Sequence, residues 1–161
     1  MKHSGWSRYR LPAVLLKAIR LMDDSPATRT LQSAPELTAP DGSTVRPLCR
    51  ITSLGSFAHF HLEAGETSTA VSHRTVQEIW YIIGGAGCMW RQQEGDEPTT
   101  VELAPGVCLT IPLGTTFQFR ASDDTEEPLR IVAVTMPPWP LDSDNEARPQ
   151  RGPWTPTVPH A

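Results

Sequence analysis

In the stretch "SHRTVQEIWYIIGGAG", residues 72–87, His73 and Glu78 stand just ahead of an apolar run that ends in glycines. One imidazole and one carboxylate at this separation serve three alternative ends. Joined by further donors, they hold a divalent transition metal. As a dyad, the carboxylate fixes the imidazole tautomer and raises its basicity, which makes His73 a general base near neutral pH. As a plain hydrogen-bonded pair, they satisfy each other in a core and do no chemistry. Further donors for the first end are His59 and His61 of "FAHFHL", which share one face of a strand by alternation. Phe60 and Leu62 occupy the opposite face and are the better core candidates. A slipped strand phase, as at a bulge, is needed to turn the two histidines inward.

The elements that must position these residues are strands. Between about 46 and 136, short runs rich in β-branched and aromatic residues alternate with turn signals: "FAHFHL" then "EAGE", "EIWYII" then "GGAG", "VCLTI" then "PLGT", "TFQFRA" then "SDDTEEP". No helical period of useful length interrupts them. Seven or more strands in so short a span predict an all-β sandwich or small barrel. Residues 11–22, "LPAVLLKAIRLM", differ: Leu11, Val14, Leu15, Ala18, Ile19 and Met22 fall on one face at helical spacing. Residues 1–45 therefore read as an extension, a short helix followed by a Pro- and Ser-rich linker. Residues 137–161 contain seven prolines and two tryptophans, Trp139 and Trp154, and read as an extended tail on the barrel.

The spacing of the glycines carries more. Gly65, Val71, His73, Glu78 and Gly85 are followed after twenty residues by Gly106, Pro112, Gly114, Phe117 and Ala121. This resembles the paired motifs of the cupin superfamily, G-x5-HxH-x4-E-x6-G and G-x5-PxG-x2-H-x3-N, with every spacing kept over residues 46–136. The flavour of "HRTVQEIWY" and "MPPWP" is similar to that of small stand-alone bacterial cupins. The resemblance implies an RmlC-like jelly-roll β-barrel, here with an N-terminal helical extension and a Pro-rich C-terminal tail. The glycines also have a mechanical reading, since they fall at strand ends where the chain reverses and φ > 0 suits glycine.

The ligand positions depart from that pattern. Most metal-binding cupins supply three histidines and one glutamate; here those positions hold Val71, His73, Glu78 and Phe117, with Ala121 for the usual asparagine. Two of four donors are replaced by groups with no lone pair, whereas catalytic metal sites keep three protein ligands. The metal site is degenerate, and no cofactor is expected. A second HxH-x4-E at His59, His61 and Glu66 fails its register, because Ser53 and His73 stand where its glycines belong. If the cupin register holds, Val71, Trp80, Ile82, Phe117 and Phe119 line a mostly apolar pocket around His73 and Glu78, suited to a small organic ligand. The leading reading is a barrel that binds a small molecule, with proton-transfer chemistry at His73 and Glu78. One alternative is a metal-dependent dioxygenase, isomerase or cyclase with a replacement histidine; another is a non-catalytic sensory or structural module.

Charge and composition bound the partners. The chain has 161 residues and a net charge of −4, enough for one domain with a core. Residues 1–22 carry five basic and no acidic residues, and the remainder nine basic and eighteen acidic. An acidic body excludes nucleic acid as main partner. The three cysteines, Cys49, Cys88 and Cys108, lack metal spacing, and Cys88 and Cys108 in strands read as buried reduced thiols. No apolar stretch approaches a membrane span, and the expected location is the cytoplasm, with no membrane partner. Arg74 and Thr75 read as turn residues, Arg91 and Arg120 as solvated strand residues. The cupin resemblance implies a homodimer.

Overall fold

A computed structural model describes residues 25–141 and 145–158; the helix expected over residues 11–22 lies outside them. Among the described residues one 3₁₀ turn, Leu31–Ser33, precedes eleven strands. These are β1 (Leu37–Thr38), β2 (Thr44–Ile51), β3 (Gly55–Leu62), β4 (Val71–His73), β5 (Gln77–Gly84) and β6 (Gly87–Gln92). Then follow β7 (Thr99–Leu103), β8 (Cys108–Ile111), β9 (Thr116–Ala121), β10 (Leu129–Met136) and β11 (Ala147–Pro149). They form two antiparallel sheets, one of six strands in the order β1-β2-β3-β10-β5-β8 and one of five in the order β11-β4-β9-β6-β7. This is the all-β jelly roll that the motifs predict. The sheets also draw strands from outside residues 46–136, β1 from the linker and β11 from the tail.

Alternation decides what enters the core. Along β5, Glu78, Trp80, Ile82 and Gly84 are buried while Gln77, Ile79, Tyr81 and Ile83 are exposed. Period-2 side chains on a sheet with one covered face give this pattern. Trp80 stacks on Phe60 and meets Phe117 and Phe119 edge-on, with ring centroids 5.8 and 5.1 Å away. Ile82, Met89, Leu129 and Ile131 complete the interior. Each such side chain contributes roughly 1.5–3 kcal/mol by leaving water, so the aromatic cluster between the sheets is the main reason they stay together.

The motif glycines are needed for their backbone. Gly65, Gly85, Gly106 and Gly114 all have positive φ. At Gly85 a second constraint applies, because a Cβ there would sit 2.3 Å from the Pro128 carbonyl oxygen. Any side chain at that position would push β10 away from β5 and open the sheet that carries Glu78.

The tail after β10 is held at both ends. The Trp139 N–H donates to Ser56 Oγ (2.9 Å) and Thr135 Oγ1 (3.2 Å), which pair at one end of the two central strands of the six-stranded sheet. Further on, β11 pairs with β4. Gln118, fully buried on the outer face of β9, then uses both ends of its amide. Its Nε2 donates to the Ser68 and Trp154 carbonyls, and its Oε1 accepts from the Trp154 N–H. Arg120 lies over the Trp154 ring at 4.7 Å, a cation–π contact. No helix among the described residues is long and apolar enough to cross a membrane.

Candidate functional site

Glu78 and Trp80 lie two residues apart on the inward face of β5, so their side chains are neighbours along one strand. The Trp80 Nε1–H donates to Glu78 Oε2 at 2.7 Å. Glu78 is only 4% exposed, and burial pushes its carboxyl up to about 8. The indole bond opposes that rise, and the neighbouring Asp41 carboxyl adds to it. Asp41 enters the barrel from the β1–β2 turn, where its Oδ1 accepts from the Ser43 N–H (2.8 Å) and hydroxyl (2.6 Å). Burial raises its pKa as well. Two carboxyls that share an apolar interior cannot both ionise cheaply, so near pH 7 Glu78 is largely a protonated acid.

His73, the last residue of β4, sits at the rim of the same interior. Phe117 and Trp139 both meet its ring edge-on at 5.3 Å. Burial lowers its pKa to about 4, opposed by the Glu146 carboxylate. Glu146 in turn fastens the β4–β5 turn. Its Oε1 accepts from the Thr75 N–H (2.7 Å) and the Val76 N–H (3.1 Å), and its Oε2 accepts from the Thr75 hydroxyl (2.7 Å). These bonds hold Glu146 as a carboxylate despite its burial. The Nδ1 of His73 is buried and has no hydrogen-bond partner.

The structure therefore gathers some of the residues named from sequence and separates others. Val71, Trp80, Ile82, Phe117 and Phe119 are all fully buried around the interior, but as tightly packed core rather than the lining of an open pocket. His73 and Glu78 border the same interior without a hydrogen bond between them: Glu78 is held by Trp80, and His73 answers electrostatically to Glu146. The raised basicity expected of the dyad is reversed, because burial drives His73 towards the neutral form. His59 and His61 lie on the outer face of β3, since their neighbours Phe60 and Leu62 pack inward. The strand does not slip there, and His59 and His61 do not join His73 and Glu78. Cys49 and Cys108 are exposed and Cys88 half-buried, all outside the core; Cys88 Sγ accepts from Arg120 Nε at 3.1 Å. Arg91 donates to the Thr110 carbonyl.

The donor set does not fit a transition metal. Val71 and Phe117 offer carbon at two of the four inherited positions, and at the third the Glu78 carboxyl accepts the Trp80 Nε1–H. Among the described residues no group of three or more His, Cys, Asp or Glu side chains is placed to hold an ion. Sequence reasoning missed Asp41, Trp139 and Glu146, which reach the site from the linker and the tail; no spacing rule connects them to the motif. A separate open cavity of about 410 Å³ lies on the outer face of the five-stranded sheet, lined by Gln118, Gln150, Arg151 and Trp154 among others.

No protein-family model matches the sequence, and no curated protein matches it. Solved structures do. Pac13 from Streptomyces, a nucleoside dehydratase, is 13% identical, with 79% of this chain and 92% of that chain covered at a TM-score of 0.60. The capsular polysaccharide assembling protein CapF from Staphylococcus aureus is 18% identical over 71% of this chain and 34% of that chain, at 0.58. The chain thus spans about a third of the length of CapF. The Fe(II) protein HppE, solved with its substrate, is 15% identical over 71% of this chain and 62% of that chain, at 0.58. All three are cupin-fold proteins. With its two-sheet topology and its four motif glycines at positive φ, this chain has the cupin fold.

Proposed function

We propose that this protein binds a small, uncharged organic molecule at the mouth of its barrel, beside His73, without a metal. One observation carries the reading: the Nδ1 of His73 is buried between Phe117 and Trp139 with no partner. Buried polar atoms in native proteins are normally satisfied, and a ligand at the rim would supply the missing hydrogen bond. The aromatic edges offer apolar contact to such a molecule. Near pH 7 a neutral His73 and a protonated Glu78 present no net charge to it, which favours an uncharged ligand over an anion. The fold's occurrence in Pac13, solved with uridine, supports the size class. The acidic body speaks against nucleic acid as an alternative.

The same protonation states suggest the chemistry. A protonated Glu78 is a proton donor at neutral pH, and the neutral His73 is an acceptor. A ligand at the rim meets His73 directly, so His73 is the group placed to orient it and to accept its proton, while Glu78 lies deeper in the packed core. The test uses uridine and a panel of uncharged heterocycles. Titrated into the protein, at least one is expected to shift the His73 imidazole resonances saturably, and His73→Phe to abolish binding of that compound measured by calorimetry while the barrel stays folded. A panel without effect on His73 would overturn the reading. So would stoichiometric transition metal in protein purified without chelator.

A further inference from the structure

His59 and His61 take no part in the barrel interior, yet the outer face of the six-stranded sheet gives them a setting of their own. On that face Arg46 of β2 stands opposite His59, and Arg130 of β10 stands opposite His61. Directly opposed side chains on antiparallel strands start about 5 Å apart, and the two rows are about 7 Å apart along the strand. The His59 and His61 rings lie 6.3 Å from each other. Two guanidinium groups and two imidazoles thus share one patch, in a chain whose net charge is −4. His59 is only 6% exposed, and its Nδ1 is buried without a hydrogen-bond partner. The Arg130 Nε is buried and unpartnered as well, although native proteins normally satisfy such atoms. Burial holds the His59 pKa below its ordinary value, and His61, Arg130 and Arg46 all lower it further, so these three neighbours act on it with one sign. The nearby carboxylates pair outward: Glu36 with Arg46, Glu127 with Arg130, and Glu63 at 3.4 Å from His61. All three are half-exposed or more, and ion pairs so exposed contribute little.

We propose that this patch binds a small oxyanion, a phosphate, sulfate or carboxylate group, seated over His59 and His61 between Arg46 and Arg130. Its oxygens accept from the Arg46 guanidinium and from the Nδ1–H tautomer of His59, which gives that buried nitrogen its partner. Arg46 is already steadied for this by its bond to the Ala34 carbonyl at 3.2 Å. The Arg130 head rests over Gly84 of β5, where a Cβ would lie 2.3 Å from its Nη2. Released from the exposed Glu127, it closes on the anion from the other side. A planar guanidinium fork matches two oxygens of such a group and gives stronger, charge-assisted hydrogen bonds. A metal ion is the wrong occupant, because two arginines repel it and no group of three or more ligating side chains stands among the described residues. The site lies outside the barrel and is independent of the reading of His73.

The experiment titrates sodium sulfate, sodium phosphate and sodium acetate into the full chain at constant ionic strength, with sodium chloride as the reference, and follows the histidine side-chain resonances by NMR. At least one oxyanion is expected to shift the His59 and His61 resonances saturably, with half-saturation in the low millimolar range, about −3 to −4 kcal/mol on the usual scale, while His73 stays unmoved. In the Arg46→Gln/Arg130→Gln variant, whose fold is checked by its unchanged His73 resonances, half-saturation is expected to rise about tenfold or more. A larger effect of sulfate and phosphate than of acetate would assign the site to tetrahedral oxyanions, and the reverse to carboxylates. Shifts that chloride reproduces, or that fail to saturate, would overturn the proposal. So would binding that the double variant retains, or an anion that moves His73 in place of His59.

Discussion

Glu78 and His73 occupy two inherited ligand positions and border the same apolar interior, yet they meet opposite fates. Glu78 lies deep, has a fixed donor in Trp80, and is driven to its neutral form by protonation. His73 lies at the rim, has no partner for one ring nitrogen, and is driven to its neutral form by deprotonation. The interior tolerates both groups only without charge.

The two groups therefore act on stability in opposite pH directions. The folded pKa of Glu78, about 8, lies above its ordinary value of 4.5, so its favourable contribution is complete below pH 4.5 and is lost as pH rises towards 8. The folded pKa of His73, about 4, lies below 6.5, so its contribution is complete above pH 6.5 and is lost as pH falls towards 4. The largest expected effect is that of Glu78→Gln, which keeps an acceptor for Trp80 and cannot ionise. At pH 8 it is expected to be more stable than wild type by on the order of 4 kcal/mol, with little difference at pH 4.5. Denaturant unfolding across that range measures it; parallel curves for the two proteins would mean that Glu78 is ionised in the fold. Next comes Trp80→Phe, which keeps a ring in the core but removes the N–H. The unsatisfied carboxyl and the smaller ring are expected to lower stability by about 2–3 kcal/mol at pH 7 and to raise the Glu78 pKa further. A fall in that pKa on titration would contradict the role given to the indole. Smallest is His73→Phe, expected to gain about 2 kcal/mol at pH 5 and to change stability by less than about 1 kcal/mol at pH 8. A uniform loss at both pH values would show that the imidazole is needed for packing.

Much of the fold was legible because it rests on local rules. The motif glycines fall at positive φ, and the alternation of β5 puts Glu78, Trp80 and Ile82 on one buried face. Alternation also favoured Phe60 and Leu62 over His59 and His61 as core residues, and the structure agrees. The absence of lone pairs at Val71 and Phe117 is visible in the residue names. The rest depends on distant contacts. Trp139, Asp41 and Glu146 join the site through chain segments with no periodic pattern, and their arrival determines who partners whom. Without them, His73 and Glu78 looked like each other's obvious partner. Nor does a pattern of inward positions reveal whether they enclose space or fill it; that depends on how Trp80, Phe117 and Phe119 interlock.

The pairing of β11 with β4 has a consequence for how the protein is made. β4 is laid down early, yet one of its neighbours, β9, comes some forty residues later, and the other lies at 147–149, close to the end of the chain. The Glu146 clasp on the β4–β5 turn arrives with it. During synthesis the N-terminal strands emerge first, so the six-stranded sheet can form its β2–β3 hairpin while β4 still waits for both partners. The rim that holds His73 is thus the last part of the barrel to be assembled.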